Sequence, residues 1–309
     1  MLSRRNIRVK VMQTLYAIDS MNGEAKPGEP ISILTKKIDR SRQLFLYLVY
    51  FISEVARYAE TDASKKAGKH LPTAEDLATN TKIAGNEVLW KIIEEPSFKL
   101  AVKELHPERN MDTDLLKKKY RALTEMPEYK EYTQLQSRDK KSEKRMLEYI
   151  FTDLLLPDED FISHIEEHFI NWDDDAEMMH SIVLSYLSKP GQQNLNDFLS
   201  TEKREFAKDL LNTVLEKHDH TLELIKPKLN NWDADRIAAL DLILLQMGVC
   251  EFLYFETIPT KVTINEYIDL AKAYSTPQSG QFVNGLLDNI HKELQAENKL
   301  EKVNFKDKK

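Results

Sequence analysis

Helix breakers are scarce in this chain, with 8 glycines and 11 prolines among 309 residues. Average usage is about 7% glycine and about 5% proline. Long helices are therefore the default expectation. The apolar pattern agrees. Ile7, Val11, Leu15 and Ile18 recur at spacings of four, four and three, the repeat of one helix face. This predicts a first helix from about residue 5 to 20. A second, long helix is predicted through Leu34, Ile38, Ser41, Phe45, Leu48, Ile52, Val55 and Ala59. Extra apolar residues in its middle imply burial on several sides.

The polar stretch Thr61–Thr73 reads as a loop. Amphipathic helices follow to about Leu156, broken near Pro96, Pro107 and Pro127. Lys189-Pro190-Gly191 is a clear break. Further on, Leu210, Leu211, Val214 and Leu215 open a helical face continuing to Leu222 and Ile225. Asn231-Trp232-Asp233 reads as a turn, with Asp233 as the cap of the following helix. Ile237–Phe255 is almost wholly apolar, which predicts a central, buried helix. Ile264, Ile268, Ala271 and Tyr274 stripe the next one, where Thr263 and Glu266 have capping-box spacing and Thr260 competes as the cap. Val283, Leu286, Leu287, Ile290 and Leu294 mark the last helix. At an offset of 60 residues, Asn171-Trp172-Asp173 echoes Asn231-Trp232-Asp233, more simply by convergence of capped helical hairpins than by duplication.

The single cysteine, Cys250, excludes an intramolecular disulfide and a Cys-rich zinc site. The longest apolar run, Leu44–Ile52, is half the length a membrane span needs. A cytoplasmic protein with no membrane association is expected. The net charge of -7 speaks at first against a nucleic-acid partner, but the charge is unevenly spread. Residues 1–20 and 200–309 carry 19 basic and 19 acidic side chains, and the middle carries 25 and 32. The whole imbalance lies in the middle, where residues 151–188 hold ten acids and no Lys or Arg. That stretch repels RNA and could dock a basic protein.

Both ends of the chain resemble the NusB family of bacterial transcription antitermination factors. The N-terminal match is Arg4-Arg5-Asn6-Ile7-Arg8 followed by Gln13-Thr14-Leu15-Tyr16. The C-terminal match includes Leu245 to Phe252 with Glu251, Ile258-Pro259, Ile264-Asn265-Glu266, Leu270-Ala271-Lys272 and Phe282-Val283-Asn284-Gly285-Leu286-Leu287-Asp288. The resemblance implies an all-α fold: a NusB-like helical bundle formed by 1–20 and 200–296, with 21–199 as a helical insertion. Residues 297–309 are expected to be a charged, disordered tail. It also implies binding of boxA-type RNA together with a small-subunit ribosomal protein that doubles as NusE. The assembly supports the RNA polymerase elongation complex on ribosomal RNA operons, without catalysis or cofactor.

Arg4, Arg5 and Arg8 oppose the positive end of the first helix dipole, and no acid precedes Asp19. Such arginines suit phosphate and base-edge contacts, against the plainer reading of a solvated terminus. Arg8 lies on the flank of the apolar stripe. With the resemblance, the RNA-binding candidates are Arg4, Arg5, Arg8, Gln281 and Phe282, the last able to stack on a base. Tyr16 and Glu251 match partner-contacting positions. Gln281 and Gln246 stand where family members often carry a cation, which puts RNA affinity there in question. Asn265 and Glu266 read as helix-start hydrogen-bonding groups, and Asp288 as a residue near RNA.

Two enzyme readings carry less. His164-Ile165-Glu166-Glu167-His168 fits the His-x-x-Glu-His pattern of zinc proteases, but no third ligand motif follows. The same helical module occurs in ribosomal RNA cytosine methyltransferases, which need a Gly-rich cofactor loop that this sequence lacks. A protein–protein scaffold with weak or no RNA binding remains the alternative.

Overall fold

The computed structural model describes residues 1–21, 25–189, 194–229 and 237–303, and its described residues contain helices and no strand. The first helix, α1 (Arg4–Asp19), starts where Ser3 and Asn6 close a capping box: the Ser3 hydroxyl accepts from Asn6 N–H, and Asn6 Oδ1 from Ser3 N–H. All four residues of the predicted stripe are buried.

The long α2 (Glu29–Ala67) runs further than expected, through the Thr61–Ala67 stretch read as a loop. That stretch is polar because it is exposed, yet Ala63, Ala67 and the i,i+4 pair Asp62–Lys66 at 2.7 Å favour helix. Gly68 follows at the stop. Next come α3 (Ala74–Leu77), α4 (Glu87–Ile93), α5 (Pro96–Leu105), α6 (Thr113–Glu125), α7 (Pro127–Gln134), α8 (Lys140–Tyr149), α9 (Glu159–His168) and α10 (Trp172–Ser188). Pro96 and Pro127 open α5 and α7 at their first positions, where a missing N–H costs nothing. A π-helical segment, Ile150–Leu155, follows α8.

The remaining helices are α11 (Thr201–Glu216), α12 (His218–Ile225), α13 (Ala239–Tyr254), α14 (Thr260–Tyr274) and α15 (Ser279–Ala296). The expected Trp232 turn and Asp233 cap, and with them the second half of the 60-residue echo, lie outside the described residues. For α14 the capping-box reading fails. Pro259 flanks its start without a side-chain cap. Thr263 is buried a turn inside the helix, where its hydroxyl donates to Glu251.

The chain divides into two compact units. One comprises Met1 and Ile38–Leu199, and the other Leu2–Lys37 with Ser200–Lys309. Residues 25–37, which the sequence places in the insertion, fall in the second unit. In that unit α13 is the hub, packed by α1, α11, α12, α14 and α15. Gly248 lets α15 approach: a Cβ there would stand 2.8 Å from Leu287 Cδ2.

In the Ile38–Leu199 unit the core is aromatic. Phe45 packs edge-on against Tyr186 and beside Phe198. Tyr47 and Phe51 meet Phe169 and Phe161. Two buried polar groups are satisfied within it. Glu143 accepts from Glu87 N–H at 2.7 Å and Tyr132 Oη at 2.9 Å. Asp175 accepts from Ser41 Oγ and Asn171 Nδ2, both at 2.6 Å. His164 is buried, with Nε2 2.6 Å from Tyr47 Oη. His168 Nδ1 instead bonds the His164 carbonyl at 2.9 Å. The two imidazoles therefore do not converge on a metal. Among the described residues no group of three or more His, Cys, Asp or Glu is placed to hold one.

Burial lowers the His164 pKa from the ordinary 6.5, and the neighbouring His168 lowers it further. The unfolded chain thus binds this proton more readily, and the unit loses stability as pH falls below about 6.5. Thermal melts of the wild type and His164→Gln should show the wild-type advantage shrinking from pH 7 to pH 5. A constant difference across that range would contradict the assignment.

Candidate RNA and partner interface

Glu251 sits near the end of α13 in a helix otherwise almost wholly apolar, and it is 0% exposed. Its carboxylate accepts from Arg8 Nε at 2.6 Å and Arg8 Nη2 at 3.0 Å. Thr263 Oγ1 and Tyr267 Oη of α14 add bonds at 3.0 and 2.9 Å. Arg8 is 2% exposed. Its guanidinium lies over the Phe206 and Tyr267 rings at 5.6 and 5.9 Å, with Glu266 Oε2 at 3.4 Å.

Burial alone would lower the Arg8 pKa, but the hydrogen bond and charge of Glu251 outweigh it and hold the guanidinium charged. Burial, and then the Glu251 charge, push the Tyr267 hydroxyl well above its ordinary value. The same causes raise the neighbouring Cys250 thiol to about 12, so it is an inert core residue.

This geometry corrects two expectations. Arg8 has no surface to offer RNA, and Glu251 none to offer a partner, because each neutralises the other in the core. Glu266 faces Arg8 rather than the start of its own helix.

Arg4 and Arg5 stay at the surface, with side chains 41% and 46% exposed. Arg4 Nη2 reaches Glu202 Oε1 at 2.7 Å and lies over the Phe206 ring at 5.5 Å. Arg5 Nη1 reaches Asp269 Oδ2 at 3.1 Å. Exposed pairs of this kind are worth about 0–1 kcal/mol, so a phosphate can compete for either arginine.

Asp269 leads along α14 to Lys272, three residues on and on the same face. The exposed Lys272 runs against the start of α15, where a Cβ on Gly280 would meet its Cγ at 2.8 Å. Gln281 is exposed and Phe282 half-buried in that first turn of α15, which carries no acid. Ser279 Oγ holds the turn by donating to Asp241 Oδ2 at 2.7 Å. Arg5, Lys272 and the positive end of α15 thus line one edge of the second unit. Lys272 is the addition here. It lies in the Leu270-Ala271-Lys272 match, but only its placement beside Gly280 marks it as part of the edge.

Gln246 is buried, with no bond to its Nε2. The neutral residue there therefore takes no charge from the surface. Asp288 is engaged by Lys292 at 2.6 Å. Tyr16, near the end of α1, is 48% exposed.

Residues 174–292 match the model of the NusB family. The chain is 43% identical over 100 residues to the transcription antitermination protein NusB of Salinibacter ruber, covering 32% of this chain and 62% of that relative. It is 44% identical over 88 residues to that of Finegoldia magna, covering 28% and 64%. It is 35% identical over 98 residues to that of Listeria monocytogenes, covering 32% of this chain and 77% of the relative. The chain belongs to the NusB family. It spans just under two thirds of the first two relatives' length, and no solved structure matches it. The family match begins inside α10, earlier than the resemblance read from the sequence, and it ends within α15. Among the described residues no helix is long and apolar enough to cross a membrane.

Removing one partner of a buried pair strands the other charge, at a cost of about 3–5 kcal/mol. Arg8→Met should therefore lose about that much stability in denaturant melts. Arg8→Met combined with Glu251→Gln should lose less, because the Gln Oε1 still accepts from one of the Thr263 and Tyr267 hydroxyls, its Nε2 donates to the other, and no charge is left buried. A double variant less stable than Arg8→Met alone would overturn this account of the pair.

Proposed function

We propose that this protein is an RNA-binding transcription antitermination factor. In this reading it binds boxA-type RNA jointly with a small-subunit ribosomal protein acting as NusE, and supports the RNA polymerase elongation complex on ribosomal RNA operons in the cytoplasm. Membership of the NusB family carries the reading. The exposed Arg4 and Arg5, with Lys272 beside the first turn of α15, support it. RNA phosphates displace Glu202 and Asp269 from the two arginines, while Gln281 and Phe282 offer an amide and a ring to the bases. Tyr16 belongs to the protein partner's surface.

Binding of boxA RNA measured against salt, with and without the ribosomal protein, tests this. Each phosphate contact on a single strand contributes a slope of about -0.7 in log K against log salt. Arg4→Ala with Arg5→Ala should make the slope shallower by about 1.4. Glu202→Gln with Asp269→Asn should tighten binding, because it removes the competing carboxylates. No RNA binding at low salt, even with the partner present, would favour the scaffold reading.

Tyr16→Ala should weaken partner affinity about tenfold, on the scale of an aromatic interface residue. It should leave RNA binding by the isolated protein unchanged. An effect confined to RNA would move Tyr16 out of the partner surface.

A further inference from the structure

The last described residues form a strap rather than the expected loose tail, while 304–309 lie outside the described residues. After α15, Asn298 takes a left-handed conformation (φ 54°) and the chain turns back. Val303 N–H donates to the Glu256 carbonyl at 3.1 Å. Between them, Lys302 Nζ donates to the carbonyls of Glu251 at 2.7 Å and Phe255 at 2.8 Å. These acceptors lie in the C-terminal turn of α13 and its cap, where helix carbonyls lack intrahelical partners. The last turn of α13 contains no basic residue of its own. Its cap comes from a lysine about fifty residues further along the chain.

The donor count at Lys302 is informative. An ammonium has three N–H groups, and a neutral amine has two and a lone pair. Two carbonyls at hydrogen-bond distance satisfy every donor of the neutral amine and leave the lone pair as the remaining tetrahedral direction. The residue is half-buried rather than enclosed. We propose that Lys302 is a modification site whose amine accepts an acyl group from an acyl phosphate or an acyl thioester, and that acylation releases the strap from α13.

Nζ attacks the acyl carbon and a C–N bond forms. The C–O bond to phosphate or the C–S bond to the thiol breaks, the leaving group takes the electron pair, and the amine proton passes to solvent. The resulting amide keeps one N–H and no charge, so it cannot serve both carbonyls. Burial supports the reactivity: it lowers the Lys302 pKa to about 8, against the opposing pull of the Glu251 and Glu256 carboxylates. About half of such a lysine is free amine at pH 8, against under about 1% for an ordinary one.

The test uses the full chain at pH 8, treated separately with acetyl phosphate and with acetyl-CoA. Peptide mass spectrometry then gives site rates for Lys302 and for the exposed Lys261 and Lys292. Lys302 should react about tenfold faster or more with at least one donor, and that donor identifies the source. Equal rates at all three lysines with both donors would overturn the site. Tryptic cleavage after Lys299 reads the strap. Lys302→Gln, which mimics the neutral amide, should be cut several-fold faster than wild type, while Lys302→Arg, which keeps the donors, should not. Unchanged cleavage of Lys302→Gln would overturn the release.

Discussion

One carboxylate organises the second unit. Glu251 draws in two N–H groups of Arg8 from α1 and the hydroxyls of Thr263 and Tyr267 from α14. Its backbone carbonyl meanwhile receives Lys302. A buried ion pair contributes little net stability, since desolvation offsets most of the attraction. What apolar packing cannot reproduce is four donors converging on one group. The pair therefore fixes how α1 is rotated against α13. Arg4 and Arg5, four and three positions before Arg8, are carried by that rotation to the rim, where they meet Glu202 and Asp269.

Much of this fold was legible in the sequence because burial follows period. The stripe in α1, the apolar run of α13 and the spacing in α15 all become buried faces. Polarity alone is a poor guide to the ends of helices. Thr61–Ala67 is helix because an exposed helix needs no apolar face, only good formers and an i,i+4 pair. The turn before α13 and the last six residues lie outside the described residues.

The site was legible as a list of residues but not as an arrangement. Arg8 sits on the flank of an apolar stripe with no acid nearby in sequence, and Glu251 closes an apolar run with no local base. Each looks like a surface contact when read alone. Read together, an unpaired buried-side cation and an unpaired buried-side anion are complementary, and they pair across 243 residues of chain. Local sequence cannot register a partner at that distance. The same holds for Lys302, whose charge reads as a disordered tail until its two carbonyl acceptors are seen.

Charge decides where RNA can approach. The Ile38–Leu199 unit holds 22 basic and 30 acidic residues, and the rest of the chain holds 22 and 21. Within the acidic 151–188 stretch some carboxylates are used internally. Lys119 pairs with Asp158, Lys118 with Asp160, and Asp175 is buried. Exposed acids such as Glu166, Glu167, Asp173 and Asp174 remain, so this unit repels phosphate. The proposed RNA site is therefore assigned to the near-neutral unit. There Arg4 and Arg5 each pair with a carboxylate, and Arg8 is committed to the core. Three cations including Lys272 give a salt slope of only about -2. A surface of that strength holds single-stranded RNA weakly at physiological salt, so in the proposed reading tight binding needs cations from a second protein. Under the proposed function, a NusB-family chain that keeps its third arginine inside makes physical sense as half of a joint site.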